Sequence, residues 1–284
     1  MRSGELFYTA DPARLTVSVM RTPNASAWLS SVAADADGEF LSCVSQDDED
    51  IYAISCGGET VGLALAAIGA PSFLYVYIFL PFRGRGFGTA AICRLEEMSG
   101  KAIQTCCRFD DAPALRFLAR MGYTQDFTSS YMVYSGLNHT LADVPIRPYT
   151  AADFEAAHRL TAEAFHKMRL ASGQFPNSKI EEPDAETETD WNETAHRRFV
   201  YECGGKVTGL LELGDGIIET VAVAPALQKR GIGTHLIRFA VNHLLEEGHQ
   251  EIGLYCVTNN PARYLYEKLG FTEHYRNMYA IKKQ

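Results

Sequence analysis

Several features that would announce a function are missing from this chain. Its apolar runs fall well short of the roughly 20 residues needed to cross a bilayer, and the opening MRSGELFYTADPAR lacks the apolar centre of a secretory signal. A cytoplasmic protein without a membrane partner is therefore expected. Basic residues are scarce: 26 Lys and Arg against 35 Asp and Glu leave a formal charge of −9, the wrong sign for gripping a phosphate backbone. Nucleic acid is not expected as a partner. The 7 cysteines are odd in number and contain no C-x-x-C pair, and the histidines do not follow H-E-x-x-H, so disulfide, redox and metal chemistry all lack their sequence signal. Reduced, mostly buried thiols and no metal are the expectation.

What is present is an ordinary globular composition, 46% apolar and 21% charged, in 284 residues. That length accommodates two domains of about 100 to 150 residues, each with its own core.

The chain also repeats itself. GGETVGLALA from Gly57 is echoed by GGKVTGLLEL from Gly204, RGRGFGTAAI from Arg83 by QKRGIGTHLI from Gln228, and FLARMGY from Phe117 by LYEKLGF from Leu265. Gly57 recurs at Gly204, Gly86 at Gly231 and Gly122 at Gly270, offsets of 147, 145 and 148 residues. So long a period indicates duplicated domains, not a solenoid. The junction is expected within Leu137 to Pro145, giving an N-terminal domain over 1–143 and a C-terminal domain over 144–284.

In the second copy, a strand at Pro145 to Pro148 precedes a helix from Ala152 with Asp153 in its first turn, where the helix dipole favours an acid. A polar, acidic stretch covers Lys179 to Thr194. Strands at Arg198 to Cys203 and Thr208 to Leu213 are joined by Gly204 and Gly205, a hairpin turn. A strand from Ile217 then leads through Pro225 to a glycine loop and a helix over Thr234 to Glu247, with Ile237, Ala240, Val241 and Leu244 at i, i+3, i+4 and i+7. A strand from Glu251, a short helix carrying Ala262, Leu265 and Leu269 and ended by Gly270, and a closing strand with Met278 to Ile281 complete the copy. Strands and helices mixed in this way indicate an α/β sheet domain, and the first copy is expected to repeat it.

The loop Gln228-Lys229-Arg230-Gly231-Ile232-Gly233-Thr234 lies between a strand and a helix, where unpaired N–H groups and the helix dipole favour an anion. It lacks the lysine and spacing of a nucleotide phosphate loop. Neither copy gives G-x-G-x-x-G, since Thr89 takes the last position after Gly84 and Gly86. Alone, such a glycine pair reads equally as a structural turn.

Taken together, strand, Gln228-x-x-Gly231-x-Gly233, and then Asn259-x-x-Ala262-x-x-Leu265-Tyr266-x-x-x-Gly270-Phe271 resemble the GNAT-type N-acetyltransferase family. The resemblance covers most of residues 144–284 and, more loosely, about residues 40–135. It implies two tandem domains, each a mixed, mostly antiparallel sheet flanked by helices, and acetyl-CoA as acyl donor. The implied donor site comprises the loop N–H groups from Gln228 to Thr234 for the pyrophosphate, the strand end Val221, Ala222 and Val223 for the pantetheine amides, and Asn259 for the same arm. Asn259 also reads as the start of the turn before Pro261. Tyr266 matches the family position of the group that protonates the departing thiolate, and it doubles as a helix-packing residue.

Transfer to an amine requires removal of a proton, and Glu219 is the candidate base. Simple alternation puts it on one strand face with Ile217, Val221 and Val223, where an ionised carboxylate must be hydrogen-bonded or used; a structural Glu satisfies the same pattern. The first copy keeps Arg83, Gly86 and Gly88, but Tyr75 stands against Glu219, Asp111 against Asn259 and Leu118 against Tyr266. It is expected to support the second copy without catalysing. The acceptor is expected to be a primary amine on a small molecule or peptide. The acids of Lys179 to Asn192 form either an attractive surface for a cationic amine or a solvated face. A CoA-binding sensor without transferase activity is the alternative reading.

Overall fold

A computed structural model describes residues 17–21, 32, 51–67, 72–99, 103–136 and 144–283. The expected junction falls almost wholly outside them. The described strands are β1 (Ser18–Arg21), β2 (Ile51–Cys56), β3 (Glu59–Ala67), β4 (Ser72–Ile78), β5 (Ile103–Arg108), β6 (Thr124–Tyr134), β7 (Ile146–Pro148), β8 (Arg198–Cys203), β9 (Lys206–Leu213), β10 (Ile217–Val223), β11 (Gly253–Val257) and β12 (Phe271–Lys282). The principal helices are α1 (Phe87–Ser99), α2 (Ala112–Arg120), α3 (Phe154–Ser172), α4 (Ala185–Glu193), α5 (Ile232–Glu246) and α6 (Arg263–Lys268).

The chain forms two compact units that no single cut separates. One takes residues 1–107, 111–126 and 279–284; the other takes 108–110 and 127–278. Most of β6, from the first sequence copy, therefore belongs to the second unit, and the end of β12 belongs to the first.

In the first unit, β1 to β5 lie in sequence order, antiparallel up to β4 and then parallel between β4 and β5. Ile51, Leu63, Tyr75, Tyr77, Phe79 and Cys106 share a buried cluster, with Tyr279 packed against it. At the end of β12, Lys282 Nζ reaches both carboxylate oxygens of Glu96, at 2.9 and 2.8 Å.

In the second unit the order is β12-β6-β11-β10-β9-β8-β7. The β8–β9 hairpin turns through Gly204 and Gly205 at φ 59° and 72°. Helix α5 covers one face with the expected stripe: Ile237, Ala240, Val241 and Leu244 are fully buried in a cluster with Leu211, Ile218, Leu254 and Phe271. Each large aliphatic side chain so buried contributes about 1.5–3 kcal/mol. Helix α3 covers the other face, where Phe154, Ala157, Leu160 and Ala164 meet Val200, Leu210 and Ala222.

Two local features differ from the sequence expectation. Asp153 lies in a short 3-10 turn ahead of α3 and closes a capping box with Thr150. The acidic stretch contains a helix, α4, capped by Asp184, whose side chain accepts from the Thr187 N–H at 2.7 Å. Pro183-Asp184 was the available signal, a stop followed by a good N-cap.

Candidate active site

The site grows from a parting of strands in the second unit. β10 pairs with β11 only at Ile217 with Gly253 and Ile218 with Leu254. Beyond that point β10 stays with β9 as far as Val223 opposite Gly209, while β11 stays with β6 as far as Val257 opposite Ser129. The edge of β10 from Val221 to Val223 is thus left without a ladder partner on the β11 side. Backbone groups in that state seek another donor or acceptor, and an extended amide-bearing ligand supplies both.

Past Val223 the chain makes one 3-10 turn, Pro225–Leu227, and enters the glycine loop. Gln228 Nε2 donates to the Val223 carbonyl at 3.2 Å, and its Oε1 accepts from Lys167 Nζ of α3 at 3.1 Å, so this side chain shapes the loop. Lys229 takes the left-handed backbone, φ 62°, and Gly231 takes φ 90° as the N-cap of α5, a geometry that disfavours any side chain there. The first helical bond runs from the His235 N–H to the Gly231 carbonyl at 3.1 Å. The N–H groups of Ile232, Gly233 and Thr234 therefore have no helical acceptor and point out of the helix end, next to exposed Lys229 and Arg230. A Cβ on Gly233 would lie 3.3 Å from Leu265 Cδ2 and 3.9 Å from Val223 Cγ2. Strand end, helix start and α6 thus converge on this glycine.

Tyr266, on α6, is buried in the same cluster as Ile232, and Val221, Val223 and Leu265 pack against it. Its hydroxyl makes no hydrogen bond to protein among the described residues, nor is it among the sealed polar atoms. Burial, and then the Cys256 thiol, hold its pKa well above a tyrosine's ordinary value, so it carries its proton at neutral pH. Asn259 has the left-handed backbone of a turn, φ 65°, and its Nδ2 donates to the Ser172 carbonyl at 3.4 Å. The cap of the turn falls to its neighbour Asn260, whose Oδ1 accepts from the Ala262 N–H at 2.9 Å.

Glu219 is where the structure corrects the simple strand pattern. Thr220 pairs with Glu212 and Ile218 with Leu213, leaving Glu219 as an extra, unpaired residue: a β-bulge. Alternation breaks there, so Ile218, not Ile217, lies in the core cluster against which Val221 and Val223 pack. Glu219 instead turns towards Gly214, where a Cβ would lie 2.7 Å from its Oε1. Though still reached by solvent, its carboxyl is raised above the usual value by desolvation and by Glu212, with Arg197 pulling the other way. A raised carboxyl pKa makes the group a stronger proton acceptor than an ordinary glutamate.

The bulge also corrects the comparison of copies. In β3 and β4, Leu65 pairs with Tyr75 and Ala66 with Leu74 without a register shift. Tyr75 is therefore the counterpart of Thr220, and Glu219 has no counterpart at all.

The sequence model of the acetyltransferase (GNAT) family matches residues 19–123 and again 164–271. The chain belongs to this family. The mycothiol acetyltransferase of Tsukamurella paurometabola is 26% identical over 247 residues, spanning 78% of this chain and 82% of that protein. The mycothiol acetyltransferase of Clavibacter sepedonicus is 24% identical, spanning 86% and 80%. Among solved structures, a GCN5-related N-acetyltransferase from Sphaerobacter thermophilus superposes with TM-score 0.70 at 19% identity, covering 94% of this chain and 95% of that one. A tandem GNAT protein from the clavulanic acid biosynthesis pathway gives 0.61 at 13%, covering 94% and 98%.

As a tandem GNAT protein, the chain is an acetyl-CoA-dependent N-acetyltransferase. The parted strands and unpaired helix start fit that donor's amides and phosphates. No helix among the described residues is long and apolar enough to cross a membrane. Lys167, Gln228's role in tying the loop, Gly214 and the bulge were missed from the sequence. The offset between copies falls from 147 to 145 residues between the hairpin and the glycine loop, whereas an inserted residue raises it, so a shorter turn before β10 masks the bulge in the sequence.

Proposed function

We propose that the second copy carries the transfer and that the first does not. The N–H groups of Ile232, Gly233 and Thr234, with Lys229 and Arg230, hold the pyrophosphate, and Val221 to Val223 pair with the pantetheine arm. Asn259 borders that arm from the end of β11. Glu219 takes a proton from the acceptor ammonium. The amine nitrogen then bonds to the acetyl carbonyl carbon and the carbon–sulfur bond breaks; Tyr266 protonates the leaving thiolate, and the second proton shed by the nitrogen as the amide forms restores the Tyr266 hydroxyl.

The observation that carries this reading is Tyr266: a buried tyrosine whose hydroxyl is uncommitted, beside the helix start that binds the donor. Tyr266→Phe keeps the ring and its packing on Phe271, whose centroid is 6.2 Å away, and removes the hydroxyl. We expect kcat to fall by about 10²-fold or more while KM for acetyl-CoA stays within about twofold. Wild-type kcat in this variant would remove Tyr266 from the mechanism.

The acceptor that suits the site is a small cationic amine. Helix α4 carries Glu186, Glu188, Asp190 and Glu193 without a basic residue. Its Trp191 packs against the cluster that contains Ala222 of β10, which places these acids on the α3 side of the reaction strand. Because two relatives are mycothiol acetyltransferases, amines of that series belong in the first panel tested, beside polyamines and amino-acid amides.

A further inference from the structure

Next to the bulge is a set of charged groups that the transfer itself does not use. Arg198 opens β8 and is almost completely buried; its Nε finds no hydrogen-bond partner among the described residues, but both of its Nη groups do. Its Nη2 donates to Glu212 Oε1 in a short contact, and its Nη1 donates to Thr194 Oγ1 at 2.6 Å and to the Trp191 carbonyl at 3.2 Å. Its guanidinium lies 4.7 Å above the Trp191 ring. The second oxygen of Glu212 accepts from Thr220 Oγ1 at 3.1 Å, and Thr220 is both its cross-strand partner and the residue immediately after Glu219. One buried cation thus ties the end of acidic helix α4, through Glu212, to the bulge in β10. An ion pair with its arginine buried and its carboxylate only partly exposed is weak evidence for stability, and its position beside the bulge directs attention to what it positions.

We infer that Glu212, held by Arg198 and Thr220, is a positioning residue that fixes the bulge and sets the electrostatic surroundings of Glu219. This rests on the reading of Glu219 as the base. The charged groups that act on Glu219 are Glu212, from β9, and Arg197, from the turn before β8. Glu212 is a like charge that makes ionisation of Glu219 harder and proton capture easier, and Arg197 opposes it. Arg198 holds the Glu212 carboxylate in place.

The test is a carboxyl titration on the full chain labelled with ¹³Cδ-glutamate, which needs no acceptor. The Glu219 signal is assigned by its loss in Glu219→Gln. In Glu212→Gln the amide oxygen still accepts from Arg198 and the amide NH2 donates to the Thr220 hydroxyl in place of accepting from it, so the charge is removed and both contacts have a partner; the Glu219 midpoint is expected to fall by about one pH unit. Thr220→Val retains the Arg198–Glu212 pair, so it stays folded where the charge-neutral variant leaves Arg198 uncompensated. Releasing Glu212 from the bulge is expected there to lower the midpoint by roughly half a unit. An unmoved Glu219 midpoint in the folded variants overturns the inference. A midpoint that moves while the acid limb of turnover stays fixed in the same variants rejects Glu219 as the base and leaves the coupling standing.

Discussion

The two glycine loops of this chain are built alike but sit beside different side chains. Gly86 and Gly231 both take φ 90°, and each accepts the first hydrogen bond of its helix, from the Ala90 and His235 N–H groups at 3.0 and 3.1 Å. Arg83 Nε donates to the last carbonyl of β4, Ile78, at 2.8 Å; Gln228 Nε2 does the same for Val223 of β10 at 3.2 Å. A Cβ on Gly88 would meet Phe117, as one on Gly233 would meet Leu265. The reaction strands diverge. Where β10 has Thr220, Ala222 and, just beyond, Ala224, β4 has Tyr75, Tyr77 and Phe79, all buried. The bulge that presents Glu219 is absent from the first copy, and Leu118 stands for Tyr266. The loop geometry is a property of the local backbone and is shared by both copies; the proton transfer proposed for the second copy depends on single side chains and on one inserted residue that the first lacks.

That comparison breaks most visibly if the copies are separated at the repeat boundary. A fragment of residues 144–284 lacks β6, along which β11 pairs from Gly253 to Val257. An unpaired central strand edge exposes its whole row of backbone groups, so this fragment is expected to show no cooperative thermal transition, whereas one beginning at residue 124 recovers it. Cooperative unfolding of 144–284 alone would show the two copies to be independent.

A smaller effect separates Asp111 from Asn259, which the repeat places at equivalent positions. Asp111 caps α2, accepting from the Ala114 N–H at 3.0 Å, whereas the Asn259 side chain caps no helix. Asp111→Ala is expected to cost about 1 kcal/mol in chemical denaturation of the first unit with kcat unchanged. Asn259→Ala is expected to raise KM for acetyl-CoA instead. Equal effects of the two substitutions on turnover would erase the distinction.

The smallest effect sharpens the picture of the second unit alone. Arg147 donates two hydrogen bonds of 2.8 Å to Asp153 and, against the cost of burial and with help from Thr150, holds its pKa at about 2. Glu273 is also held at about 2: burial opposes this, but hydrogen bonds from Arg263, Ser130 and Arg276 prevail. Both carboxyls are depressed in the folded state. Their contribution to stability is full above about pH 4 to 5, where the unfolded chain is ionised, and is lost as pH falls towards 2. Arg147→Gln is expected to flatten the pH dependence of Tm in that window, and an unchanged slope would assign it to other groups.

The sequence made the duplicated sheet-and-helix fold legible because hydrophobic spacing and glycine punctuation are local. Ile237, Ala240, Val241 and Leu244 announced the buried face of α5, and Gly204-Gly205 announced the hairpin. The donor loop was legible for the same reason. Assignment of β6 to the second unit was not, since strand partners separated by more than 100 residues leave no mark in either segment. The surroundings of Glu219 were hidden too: a bulge shifts the side-chain parity of a strand, and alternation read from sequence alone assumes it constant.

The central claim is that the second copy binds the donor productively and the first does not. It is tested by a matched pair, Gly231→Glu and Gly86→Glu, each placing a negative side chain at a φ of 90° in its own loop. Thiol release from acetyl-CoA is followed with the same amine panel for both. Gly231→Glu is expected to lose at least about 10²-fold in kcat/KM for acetyl-CoA, and Gly86→Glu to stay within about threefold of the native chain. Loss of turnover in Gly86→Glu with activity kept in Gly231→Glu would move the active site to the first copy and contradict the account.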